Sequence, residues 1–176
     1  MTLSRRNFMK NAGGAAVASG ALWTSQVAHS QVSIGAMTLD VVSDGYLSLP
    51  GSFAFGPMPQ DELAPILNTY NQSINSLNPP CNITLLRDGH RNILFDVGSG
   101  PNFQPTAGHL VESLFLLGLE PEDITDVVFT HGHPDHLWGL LDDFDDPVFI
   151  EATYMIGKVE WEYWMYPNTV DTISSD

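Results

Sequence analysis

Six consecutive residues, His131-Gly132-His133-Pro134-Asp135-His136, constrain this chain more than any other stretch, because they crowd three imidazoles and a carboxylate into a segment that opposes regular helix. Gly132 is a poor helix former, and Pro134 removes a backbone donor and clashes with the preceding turn. The i, i+4 histidine pair of an HExxH helix is therefore excluded. Asp126-Val127-Val128-Phe129-Thr130 reads as a buried strand running directly into His131, so the six residues form a tight loop at a strand end. Such a loop can turn His131 and His133 toward one point while Asp135 and His136 address a neighbouring one. Imidazole and carboxylate suit a borderline divalent metal when correctly ionised, and two metal positions follow. A closed structural zinc site is the poorer reading, since those sites are usually rich in cysteine and the chain has only Cys81.

The rest of the chain reads as an α/β protein with functional residues on loops leaving strand ends. Val41 to Leu49 is expected to form two short strands around an Asp44-Gly45 turn. Gly51 to Pro59 reads as a loop whose Phe53 and Phe55 pack against the core. Gln60 to Asn71 is expected to form a short helix interrupted near Pro65. Ile83 to Arg87 and Asn92 to Asp96 form a hairpin across Asp88-Gly89-His90, and Asp96 opens a glycine-rich loop. Leu110, Leu114 and Leu117 recur at helical spacing between Thr106 and Leu117, ahead of Gly118. Leu137 to Leu141 is expected to be helical, Pro147 to Ile150 to be a strand, and Lys158 to Met165 an aromatic-rich helix. His90 and His109 lack ligand-type neighbours at useful spacing and are not expected to bind metal. Cys81 reads as a small buried residue. A lone cysteine excludes an intramolecular disulfide.

Residues 1–30 stand apart as a targeting segment. Ser4-Arg5-Arg6-Asn7-Phe8-Met9-Lys10 precedes a weakly apolar, Ala/Gly-rich run from Ala12 to Trp23, and Ala28-His29-Ser30 satisfies the small-x-small cleavage rule. The paired arginines resemble the twin-arginine export signal, which is an address and not an anchor. The mature domain is then expected to span 31–176 in the periplasm or outside the cell, with no stable membrane anchor. The whole chain carries 21 acidic against 6 basic side chains, a net charge of −15. That balance argues against nucleic acid or anionic lipid as partners.

The sequence resembles the metallo-β-lactamase-fold superfamily, whose HxHxDH motif is matched in full by His131, His133, Asp135 and His136. Asp96 followed by Gly98 is similar to the family's Asp-x-Gly turn, and Thr130 occupies the position commonly found before the first histidine. Phe103-x-Pro105-Thr106-Ala107-Gly108, followed by Leu110 and Glu112, and Glu160-Trp161-Glu162-Tyr163-Trp164 resemble the branch containing methyl parathion hydrolase and lactonase-like enzymes. The resemblance runs over residues 34–166. It implies a four-layer αββα sandwich of which this chain is the N-terminal half.

The resemblance assigns His131 and His133 to a first metal and Asp135 and His136 to a second, with Asp135 also needed for catalysis and Asp96 in support. It implies two divalent ions, zinc by default, with manganese, iron and cobalt also suited to the ligands. Two such cations acidify a water between them and polarise the bond under attack, so no Ser, Cys or Lys nucleophile is needed. The substrates implied are small esters, lactones or phosphotriesters; glyoxalase-II-like thioesterase and β-lactamase activities stay open, as does homodimerisation. Trp138, Trp161 and Trp164 are candidates for an aromatic wall.

No histidine follows His136, whereas the family draws further ligands from later loops. The chain is therefore expected to be an N-terminal portion. A four-ligand zinc site contributes about 10–16 kcal/mol, and two ligands per metal keep only a fraction of that. The alternative reading is a non-catalytic binding or assembly module of the same fold.

Overall fold

The computed structural model describes residues 30–172; the expected targeting segment lies almost wholly outside the described residues. A strand β1 (Ser30–Ile34) turns at Gly35 into the long β2 (Met37–Tyr46). A minor hairpin of β3 (Leu49–Pro50) and β4 (Ser76–Leu77) flanks two helices, α1 (Gly51–Phe55) and α2 (Gln60–Thr69). Next come β5 (Pro80–Arg87), β6 (Asn92–Phe95), α3 (Leu110–Leu116) and β7 (Asp126–Phe129). The chain then forms a single turn of helix α4 (Pro134–Leu137), β8 (Thr153–Ile156), α5 (Lys158–Met165) and α6 (Thr169–Thr172). Six strands make one sheet in the order β1-β2-β5-β6-β7-β8.

Strand direction places the functional loops. The first three pairings are antiparallel, and β6-β7 and β7-β8 are parallel. Parallel neighbours require crossovers, here made through α3 and through α4, and their carboxyl ends emerge at the same sheet edge. Phe95 lies opposite Val128 and Phe129 opposite Ile156, so Asp96, Thr130 and the start of α5 leave from one edge. Antiparallel pairing brings the amino end of β5 and the carboxyl end of β2 there too, since Tyr46 faces Pro80.

The core lies on one face of this sheet. Val42, Leu85, Leu94 and Val127 point to it from four adjacent strands, and Leu110 and Leu114, one turn apart on α3, close over them with Phe149. Each of these side chains is buried, and full burial of a leucine stabilises by roughly 1.5–3 kcal/mol. The opposite face carries Leu39, Val41, Leu86, Phe95 and Val128, only partly covered, and Met155, which is exposed. The described residues thus supply one six-stranded sheet, a minor two-stranded one and one helical layer of an α/β fold.

The hairpin at Asp88, the strand into His131, the helix at Lys158–Met165 and the helix around Leu110–Leu114 all form as expected. Four expectations are corrected. Asp44-Gly45 does not break the strand: β2 runs through, and the register shift between Ser43 and Gly45 makes the pair a β-bulge, with Gly45 at φ +99°. Gly51–Phe55 is a short helix and Phe53 is 75% exposed, so it does not pack in the core. Helix α2 runs uninterrupted through Pro65. Pro147 to Ile150 is not a strand, because Phe149 is drawn into the core by burial and the pairing position beside β7 is taken by Thr153–Ile156.

The bulge turns Asp44 inward, where it joins three segments. Its Oδ2 accepts from the Ser99 amide (2.9 Å) and hydroxyl (2.8 Å), and its Oδ1 accepts from the Leu110 amide (3.0 Å). Gly98 passes so close that a Cβ there would lie 2.5 Å from the Asp44 carboxyl carbon, and its φ is +75°. Asp44→Ala would strand two buried amides, so a loss of roughly 3 kcal/mol is expected. Urea unfolding of the variant checks this, and an unchanged midpoint would contradict the role given to Asp44.

Candidate metal centre

Asp96 ends β6 in a left-handed conformation, φ +70°, and is 5% exposed. That backbone turn points its carboxylate across to the end of β7. Oδ1 accepts from the Thr130 amide at 2.7 Å, and Oδ2 accepts from the Thr130 hydroxyl at 2.7 Å and from His136 Nδ1 at 2.8 Å. Since a carboxylate only accepts, Thr130 Oγ1 gives its one proton to Asp96. The same oxygen lies 2.9 Å from His131 Nδ1 and must therefore accept from it. One carboxylate thus sets two tautomers: His131 and His136 both carry their proton on Nδ1 and turn the lone pair of Nε2 outward.

Those lone pairs converge with the neighbouring donor atoms in two pairs. His131 Nε2 is 3.1 Å from His133 Nδ1, and His136 Nε2 is 3.3 Å from Asp135 Oδ2. Two ligands on one tetrahedral zinc, with bonds of about 2.0–2.1 Å, stand about 3.3 Å apart. The donor atoms therefore fit two metal positions, two donors each. The three rings lie close together, with His131 centred 4.5 Å from His133 in an edge-on contact and 4.0 Å from His136 in a tilted one. Among the described residues, no group of three or more His, Cys, Asp or Glu side chains is arranged around one point for a metal ion.

The other histidines, the cysteine and the tryptophans lie apart from these donor pairs or at their margin. His90 sits in the hairpin turn, and His109 precedes α3, where its amide donates to the Asp44 carbonyl. Cys81 lies within β5 and is only partly buried. It shares a cavity of about 180 Å³ with Asp135 and His136. Burial, with Asp44 and Asp135 adding negative potential, pushes its thiol up to about 11. Trp161 and Trp164 line an apolar cavity of about 470 Å³ with Phe129, Leu137 and Met165. Trp138 does not join that wall; it stands edge-on to Phe103 at 5.3 Å. Among the described residues no helix is long and apolar enough to cross a membrane.

The residue that sequence reasoning left without a role is Glu160. Its Oε1 accepts from the Gly132 amide and from the Trp164 indole, both at 2.7 Å. The Gly132 amide, then the indole, hold its carboxyl below the usual carboxylate range. The spacing of Glu160 and Trp164 on a helix places both on one face, but nothing local connects that face with Gly132.

Residues 78–164 match the family model of the metallo-beta-lactamase superfamily. Among solved structures, AidC, a dizinc quorum-quenching lactonase in complex with a product, N-hexanoyl-L-homoserine, is similar at 31% identity with a TM-score of 0.72, over 77% of this chain and 47% of AidC. The hydrolase AbOPH of the beta lactamase superfamily is similar at 27% identity with a TM-score of 0.75, over 85% of this chain and 52% of its own. No curated protein matches the chain. Sheet order, motif and these similarities define a metallohydrolase-type α/β fold, and the chain belongs to the metallo-beta-lactamase superfamily. It spans about half the length of either solved relative.

Two expectations follow from the site. Thr130→Val breaks the link from Asp96 to His131 while keeping the side-chain shape, and zinc affinity is expected to fall about ten-fold, as for other groups that orient ligands. Competition with a chromophoric chelator measures it; equal affinity would show that the tautomer is set otherwise. The Cys81 thiol stays protonated until about pH 11, so its alkylation rate should keep climbing well past pH 9. A plateau near pH 9 would contradict the shift.

Proposed function

We propose that the chain forms part of an exported metal-dependent hydrolase that cleaves an ester, lactone or phosphotriester bond with water. The observation that carries this reading is the pairing of donor atoms, His131 Nε2 with His133 Nδ1 and Asp135 Oδ2 with His136 Nε2, at separations suited to two adjacent metal ions. The dizinc lactonase and the hydrolase among its structural relatives support it, as does zinc as the ion.

When bound, two divalent ions supply an acidified water and Lewis-acid polarisation of the scissile group. The chain's own residues do the positioning. Asp96 and Thr130 hold His131 and His136 in the tautomer that leaves Nε2 free. Asp135 contributes a carboxylate oxygen beside His136, which balances cationic charge at the second position. A small uncharged or weakly charged substrate suits the anionic chain, and the apolar cavity beside Gly132 suits an acyl or aryl group. The Ser4–Lys10 segment supports export by the twin-arginine route, which would carry the domain folded and loaded.

One observation favours a second reading, a non-catalytic binding or assembly module: each metal position has two donors among the described residues, short of a filled site. Zinc-loaded protein is expected to hydrolyse an acyl-lactone and aryl-ester panel, and to lose at least 100-fold in rate in chelator or on Asp135→Ala, about the effect expected for a group acting on the reacting centre. Rates unchanged by both treatments overturn the hydrolase reading. A chain that holds metal without turnover, running as part of an oligomer in size-exclusion chromatography, establishes the second.

A further inference from the structure

We propose that Glu160 is a positioning residue for the first metal position, acting on the peptide backbone between its two histidines. The inference rests on the metal reading above. Gly132 is the single residue separating His131 from His133, and its amide is the donor that Glu160 Oε1 receives at 2.7 Å. That oxygen is itself fixed from the other side by Trp164 Nε1, also at 2.7 Å, one turn further along α5. The carboxylate therefore cannot swing away without giving up two hydrogen bonds at once.

The indole adds a wall to this anchor. Gly132 is buried, and a Cβ on it would run into Trp164 Nε1, with Cδ1 and Cε2 2.8 Å away. The loop is pressed flat against the indole and tied to the carboxylate beside it, which leaves the peptide plane of Gly132 one orientation. His131 is held at its ring by Thr130, whereas among the described residues the His133 ring bonds to His131 alone. The position of His133 thus depends on its backbone, and its backbone on Glu160. Helix α5 enters the sheet edge directly after β8, which pairs in parallel with β7, so the anchor and the loop share one rigid frame.

The test uses cobalt(II) as the probe on the full chain, with three variants. Glu160→Ala removes the acceptor, Glu160→Gln keeps an acceptor oxygen without the charge, and Trp164→Phe keeps a ring against Gly132 without the N–H. Cobalt affinity is expected to fall about ten-fold in Glu160→Ala, in line with loss of a ligand-orienting group, and to be restored within about three-fold in Glu160→Gln. Trp164→Phe should fall between them. In the metal-free chain, hydrogen exchange of the Gly132 amide should accelerate in Glu160→Ala and stay slow in Glu160→Gln.

Circular dichroism establishes that each variant is folded; if Glu160→Ala is not, the Gln and Phe variants decide. Cobalt affinity equal in wild type and Glu160→Ala, or Gly132 exchange unchanged between them, overturns the positioning role and leaves the metal reading standing. Absence of cobalt binding to the wild type overturns the metal reading, and this inference with it.

Discussion

The carboxylate of Asp96 is the interaction on which the site depends. It closes the gap between β6 and β7 where their pairing ends, by taking the Thr130 amide and hydroxyl, and it reaches forward to His136. A left-handed backbone at a non-glycine residue costs of order 1 kcal/mol, and three charge-assisted hydrogen bonds offset it. Because β6 and β7 are parallel, this bond network, the Asp96 turn and the histidine loop fall at the same edge, which is where an α/β sheet places its chemistry.

Around that point the chain uses carboxylates repeatedly as connectors. Asp44 joins β2 to the Gly98-Ser99 turn and to α3. Asp40, fully buried, receives Gln31 and the Arg87 guanidinium across three neighbouring strands. Glu160 ties α5 to the histidine loop. Much of the acidic excess is solvent-facing, but these three side chains, like Asp96, bind backbone and side-chain donors that would otherwise be left unpaired at strand ends and turns.

What the sequence disclosed follows from range. Strands β5, β6 and β7 and the helix at Lys158 are written in local periodicity and turn residues, and the histidine loop in a six-residue motif, so all were legible. Asp44-Gly45 was not, because an Asp-Gly pair serves a hairpin turn and a bulge equally well, and only its pairing with Asn82 and Cys81 decides. Pro147 to Ile150 misled for a related reason: burial of Phe149 produces the same apolar run that a strand would. The connections of Asp44 to Ser99 and of Glu160 to Gly132 cross 55 and 28 residues, and no spacing rule reaches that far.

The seat of Gly132 against Trp164 has an optical consequence. The indole lies within van der Waals distance of the one residue separating two candidate ligands, so an open-shell ion such as cobalt(II) or copper(II) bound there would sit close enough to drain its excited state. Trp138 and Trp161 are more exposed, at 55% and 54%. Loss of Trp164 emission on adding such an ion would then report its arrival at the loop without label or substrate.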